Sequence, residues 1–189
     1  MKHIPLIELC ILSVMILIKA VLLHRKGIKV NAFGKTNKTD FWLIPVFCLF
    51  VYAALSAFYD LPFPVIVKRT FWENSILYWL AVLICATGLI WFGITLKSFG
   101  NSFRIGIDEK TNDKLITTGT FAYSRNPIFV AFIAFFLGIF LAYSTGISLA
   151  LLLFSIIMIH RQILREETFL KSHYGKEYED YCTQVRRYL

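Results

Sequence analysis

Two groups of polar residues carry the chemistry available to this chain: Arg161, Arg165, Glu166 and Glu167 near the C-terminus, and Arg125-Asn126-Pro127 some forty residues earlier. A carboxylate facing a pocket can hold a cationic ammonium or ribose hydroxyls, and a guanidinium can grip a substrate carboxylate in a planar fork. The later group has helical spacing. Gln162, Glu166 and Leu170 fall at i, i+4 and i+8 on one face, with Arg161 and Arg165 on a neighbouring one. The earlier group reads as a helix start: Asn126 is a favoured N-cap, Pro127 suits the first helical position, and Ile128 opens an apolar run. Backbone N–H groups at such a start have no intrahelical partner, and the macrodipole adds partial positive charge. With Arg125 beside them, an anion would be welcome there. A plainer reading stays open. Residues 124–127 would only cap a membrane helix, Arg125 would anchor it at the headgroups, and the later Arg and Glu side chains would pair with one another on a solvated interfacial helix.

The elements that must position these groups belong to a membrane protein. The chain has 189 residues, enough for one domain, and 57% of them are hydrophobic, with mean hydropathy +0.63 and only 17% charged. Several apolar runs approach the twenty or so residues that cross a hydrocarbon core, which excludes an ordinary soluble fold. The net charge of +8 fits loops facing anionic lipid better than a nucleic-acid partner. Cys10, Cys48 and Cys85 lie in apolar runs and Cys182 stands alone, without CxxC or Cys/His spacing, so neither a disulfide framework nor a metal site is read.

The expected architecture is all-α, a single integral membrane domain over 1–189 with about five transmembrane helices. Three N-terminal helices occupy 1–96, and a cofactor-binding loop, a helical hairpin and a cytosolic tail occupy 97–189. The first span, 4–23, has no small-residue cleavage site behind it and is read as a retained helix. Glu8 and Lys19 in it are placed to reach the interfaces. The second span is 41–59 and the third 75–96, with Trp79 and Trp91 able to mark its ends. Residues 127–160 are apolar for too long to be one straight span, and Ser144-Thr145-Gly146 breaks them into a hairpin of two short ones. From Arg161 a charged amphipathic helix runs to Gly175, and a shorter one follows with Tyr178, Tyr181 and Val185 on one face. The loops at 24–40 and 97–126 carry five Lys/Arg each, against two in 60–74 and none in the hairpin turn. That bias puts the N-terminus outside and the C-terminus in the cytoplasm. The hairpin then returns Arg161, Arg165, Glu166 and Glu167 to the face that holds Arg125 and Asn126.

The two polar blocks also have a family likeness. LITTGTFAYSRNPIF (115–129) followed, after the hairpin, by REETFLKSHYGKEYEDYCTQV (165–185) resembles the isoprenylcysteine carboxyl methyltransferase family. That family is part of a broader group of membrane methyltransferases that includes phospholipid N-methyltransferases. The likeness covers roughly 99–185, and the chain's length suits a compact, five-span prokaryotic or archaeal type. It implies an enzyme that binds S-adenosyl-L-methionine in a cytosol-facing pocket and esterifies the C-terminal carboxylate of an S-isoprenylated cysteine, leaving S-adenosylhomocysteine. It implies cofactor contacts at Asp113, Lys114, Leu115, Ile116, Phe121, Asn126, Pro127, Ile128, Phe129 and Glu166, and a further one at Gly106. Glu167, about 100° further round its helix, is expected to matter less.

The family's substrate-binding arginine falls in register on Gln162, so Arg161 or Arg165 would supply that charge and join Glu166 in the catalytic group. Asn126 stands where the family usually has His, and Phe129 where it has Tyr. Asn keeps a hydrogen bond but carries no proton, so acid–base chemistry is not expected at that position. The implied partners are the bilayer and a prenylated cysteine, with no nucleic acid and no metal. Three other functions compete: a lipid amine N-methyltransferase with the same cofactor pocket, a much longer NADPH-dependent sterol reductase with a similar tail, and a small transporter or scaffold.

Overall fold

The computed structural model describes residues 3–26, 69–100 and 114–189, together with isolated positions between 45 and 62. All named elements among them are helical: α1 (Ile4–Arg25), α2 (Ser75–Phe99), a 3-10 turn (Gly119–Ala122), α3 (Pro127–Ala142), α4 (Gly146–Tyr174) and α5 (Lys176–Gln184). The protein is thus an all-α membrane protein, as expected. Helices α1, α2 and α4 are long and apolar enough to cross a membrane, while α3, with 16 residues, is a shorter apolar helix. The expected second span at 41–59 lies mostly outside the described residues, as do most of the loops at 24–40 and 60–68.

Each boundary has a local cause. Asn74 caps α2 by accepting from the N–H groups of Ile76 (2.8 Å) and Leu77 (3.2 Å). The helix ends at Gly100, which turns at φ 54°, and Lys19 of α1 donates to the carbonyls of Leu96 (2.9 Å) and Gly100 (2.7 Å). Lys19 therefore satisfies carbonyls that the end of α2 leaves open. Glu8, in the first turns of α1, is buried, 8% exposed, on the face that α1 packs inward.

The hairpin between α3 and α4 turns where the sequence breaks. Thr145 and Ser148 form a reciprocal capping box at the start of α4. Residues 71 and 72 satisfy the turn from outside: Phe71 N donates to Ser144 O (2.7 Å), Ser144 Oγ donates to Trp72 O (2.8 Å), and Trp72 Nε1 donates to Leu141 O (3.3 Å). A buried turn at the edge of a bilayer needs such partners, because lipid supplies none. Past the turn, α4 continues without a break at Arg161. Its 29 residues span about 44 Å at 1.5 Å each. The apolar first part can cross the hydrocarbon core, and the charged remainder projects beyond it. What the sequence suggests as a short span followed by a separate amphipathic helix is one rigid rod.

Helices α2 and α3 form the tightest seam, built on small residues. Ala81, Cys85, Gly88 and Phe92 of α2 face Ala131, Phe135, Gly138 and Ile139 of α3, all buried. A Cβ on Gly138 would run into Cys85 Sγ and meet Ala81 O at 3.0 Å, whereas one on Gly93 would meet only the flexible end of Met15, at 3.1 Å. Helices in lipid gain little from hydrophobic exclusion and rely on such close approach. Overpacking of this kind costs about 1–3 kcal/mol. Gly138→Ala is therefore expected to lower the unfolding temperature of the detergent-solubilised protein clearly, and Gly93→Ala far less. Equal stability of the two variants would contradict the seam.

Candidate functional site

The site is assembled at the start of α3 by residues 114–126, the charged end of α4, and the chain after α5. Gly119, at φ 67°, opens the 3-10 turn directly over α2, where any Cβ would strike Ser98. The turn buries Phe121 edge-on against Phe99, with centroids 4.7 Å apart. Tyr181 of α5 locks it from the other side, its hydroxyl donating to Phe121 O at 2.6 Å. Burial pushes that phenol up to about 12, against a smaller opposing pull from Arg125, so Tyr181 stays a proton donor at neutral pH. At the head of α3, Ser124 Oγ accepts from Asn126 N (3.1 Å), and Trp91 Nε1 donates to Pro127 O (3.0 Å). Trp91 thus holds the helix start and does more than mark a membrane boundary.

Asn126 occupies the N-cap position, but its side chain does not cap the helix. Its amide points outward, donating to Arg187 O (3.1 Å) and, at the limit of hydrogen-bonding distance, to Glu167 Oε1 (3.5 Å). The anion that this helix start favours is supplied by the protein itself. Glu167 pairs with Arg125 at 3.2 Å and accepts a two-pronged grip from Arg187, through Nε (3.1 and 3.0 Å) and Nη2 (2.8 Å). The side chains of Arg125 and Glu167 are 12% and 11% exposed, and that of Arg187 is 37% exposed. The bond to Glu167 raises the Arg187 pKa further, so the guanidinium keeps its charge.

Arg187 belongs to a short strap after α5. Arg125 N donates to Arg186 O (2.9 Å), Ser124 Oγ donates to Arg187 O (3.4 Å), and Tyr188 meets His160 Nδ1 of α4 at 2.6 Å. The strap therefore ties the head of α3 to α4 at the level where α4 becomes charged.

The expected site residues divide in three. Asn126 and Pro127 are buried at the head of α3 beside Glu167, Phe121 is buried in the turn, and Ile128 and Phe129 are half-buried. Glu166 is half-buried and accepts from Gln162 Nε2 at 2.9 Å, so these two form a polar face of their own. Lys114 and Arg161 are exposed, and Leu115, Ile116 and Arg165 are half-buried. Gly106 and Asp113 lie outside the described residues. Glu167, expected to contribute less, is the carboxylate that joins the blocks. Arg187 and the strap carry no signal of their own in the sequence, since an extended tail shows no periodicity.

Two buried polar atoms in this segment, Thr120 Oγ1 and Arg125 Nε, have no hydrogen-bond partner. Buried polar groups are normally satisfied, so these two atoms are exceptions in the segment.

Residues 76–177 match the family of phospholipid methyltransferases, a stretch that takes in the first polar block, the hairpin and the start of the second block, to residue 177. The chain belongs to that family. Within it, the protein-S-isoprenylcysteine O-methyltransferase of Schizosaccharomyces pombe is 33% identical over 110 residues, covering 53% of this chain and 46% of the relative. The chain thus spans less than half the length of that relative. Both findings agree with the likeness drawn from the two blocks.

The geometry makes Glu167 the test of the assembled site. Glu167→Gln leaves Arg125 as a buried cation without its anion, a change that costs about 3–5 kcal/mol when both partners are buried and less where one is exposed, as Arg187 is. A loss of about 1–3 kcal/mol in unfolding free energy is expected. Faster tryptic cleavage after Arg186 and Arg187 should accompany it as the strap loosens. A Glu167→Gln protein as stable and as resistant as the parent would contradict the clamp.

Proposed function

We propose that this protein transfers a methyl group from S-adenosylmethionine to the carboxylate of an S-isoprenylated cysteine, at the cytoplasmic face of the membrane. The observation that carries this is the convergence of the two polar blocks on one end of the bundle, where an apolar hairpin begins. An amphiphilic acceptor needs that arrangement: a lipid-facing path for its tail, ending at a polar cluster with net positive charge. The name of the Schizosaccharomyces pombe relative points to the same acceptor.

The residues present suit the cofactor's groups. The Glu166 carboxylate and the Gln162 amide match an ammonium or ribose hydroxyls. When bound there, S-adenosylmethionine supplies a methyl group already activated on a sulfonium sulfur.

The chain's own tasks are then orientation and exclusion of water. A carboxylate acceptor is ionised at neutral pH and requires no base, which fits Asn126 at a position that carries no proton. Phe121, Phe99 and Trp91 wall the turn with apolar surface, and the strap covers the head of α3. The excess of basic residues in the loops at 24–40 and 97–126 supports an external N-terminus and a cytoplasmic C-terminus and site.

The test uses sealed membrane vesicles, methyl-labelled S-adenosylmethionine, N-acetyl-S-farnesylcysteine and phosphatidylethanolamine. The expected product is label on the prenylcysteine that mild base releases as methanol. It should appear in inside-out vesicles and not in intact right-side-out ones, because the charged donor does not cross the bilayer. Base-stable label in the phospholipid, with none on the prenylcysteine, would overturn the acceptor. Equal labelling in both vesicle types would overturn the orientation.

A further inference from the structure

The cluster at the head of α3 has one more positive charge than it needs. Among the described residues, Arg125 and Arg187 share the carboxylate of Glu167, which leaves a net charge of +1 there, where the α3 N-terminus adds further positive potential. Excess charge in a partly dehydrated place attracts an anion. The two arginines are not equally placed to receive one. Arg125 is nearly covered, and its Nε is closed to solvent. Arg187 is 37% exposed and spends its Nε–H and one Nη2–H on Glu167. Of the five N–H groups of a guanidinium, this leaves three directed away from the pair.

Its position is also set. The Glu167 carboxylate holds the fork in plane, and the Arg187 carbonyl is held by Asn126 Nδ2 at 3.1 Å. The arginines expected from the sequence stand elsewhere. At 100° per residue, Arg165 lies about 160° and Arg161 about 120° away from Glu167 round α4, so neither shares its face.

We infer that Arg187, carried by the C-terminal strap, recognises the carboxylate of the methyl acceptor, holding it at the head of α3 where the apolar hairpin meets the polar site. The inference rests on the acceptor reading above and adds to it a residue that the two sequence blocks do not contain. Carboxylate chemistry also occurs in the amino-acid moiety of the cofactor, so the test must separate the two sources.

Three variants serve: Arg187→Gln removes the fork, Arg187→Lys keeps the charge, and Glu167→Gln loosens the same ion pair while leaving Arg187 charged. Affinities for N-acetyl-S-farnesylcysteine, for its carboxamide and for S-adenosylhomocysteine are measured by ligand-induced thermal shift of each purified protein. The parent is expected to prefer the acid to the amide. Losing a charge-assisted hydrogen bond lowers affinity about ten- to a hundred-fold, so Arg187→Gln should weaken the acid by that factor, leave the amide alone and abolish the preference. Arg187→Lys should keep part of the preference, and Glu167→Gln, which leaves Arg187 charged but no longer held in plane, should reduce it less than Arg187→Gln does. S-Adenosylhomocysteine should bind Arg187→Gln as it binds the parent.

An unchanged acid preference in Arg187→Gln overturns the inference. So does an equal loss in Arg187→Gln and Glu167→Gln, which would reduce Arg187 to a fastener of the strap, and so does a loss confined to S-adenosylhomocysteine. Parent protein that binds acid and amide alike overturns it even where ester forms. Acid preference that depends on Arg187 without any ester product leaves the inference standing and overturns the reaction.

Discussion

A single, mostly covered carboxylate holds the polar end of this molecule together. Glu167 accepts from Arg125 at the head of α3, from Arg187 on the strap, and more weakly from Asn126. It projects from the rigid rod of α4. Three stretches far apart in sequence therefore meet at one point, and losing the carboxylate would leave both arginines without their anion. The other contacts at this end act around that point: the strap carbonyls on Arg125 N and Asn126, the Tyr181 hydroxyl on Phe121 O, and the His160–Tyr188 pair. A site that must align two reactants and keep water away needs walls of this stiffness.

The membrane part supplies the base on which that cluster is built. The small-residue seam of α2 and α3 fixes where α3 begins, and Trp91 reaches across it to the carbonyl of Pro127. At the opposite end the turn at 143–145 is saturated with hydrogen bonds from residues 71 and 72, so the hairpin is pinned at both ends. The length of α4 then delivers Gln162, Glu166 and Glu167 to the level of Asn126. A shorter second arm would leave them inside the hydrocarbon core.

Much of this was legible before any coordinates. Apolar runs, the Ser144-Thr145-Gly146 break and Asn126-Pro127 mark where helices start and stop, because local chemistry decides those boundaries. The meeting of the two blocks follows from a hairpin that returns the chain to its starting face. Other features are not local. Whether Glu166 or Glu167 faces the head of α3 depends on the rotation of α4 about its axis, which packing decides. Glu8 looks placed for an interface by its distance along α1, yet the neighbours of α1 bury it. Asn126 has the residue type of a cap, but its amide nitrogen donates to a carbonyl of the strap and a carboxylate of α4, which orients the side chain away from the helix start. Arg187 becomes visible only when the strap is seen to cross the site.

The central claim is that these elements form a binding site for S-adenosylmethionine and its product, and ligand-induced stabilisation tests it directly. A ligand that binds only the folded protein stabilises it by about 2.7 kcal/mol at a hundred times its dissociation constant. Purified protein in detergent should unfold at a higher temperature with saturating S-adenosylhomocysteine than without ligand, and NADPH at the same concentration should leave the transition where it was. Stabilisation by NADPH, or the absence of any shift with S-adenosylhomocysteine in a protein that unfolds cooperatively, would contradict the account.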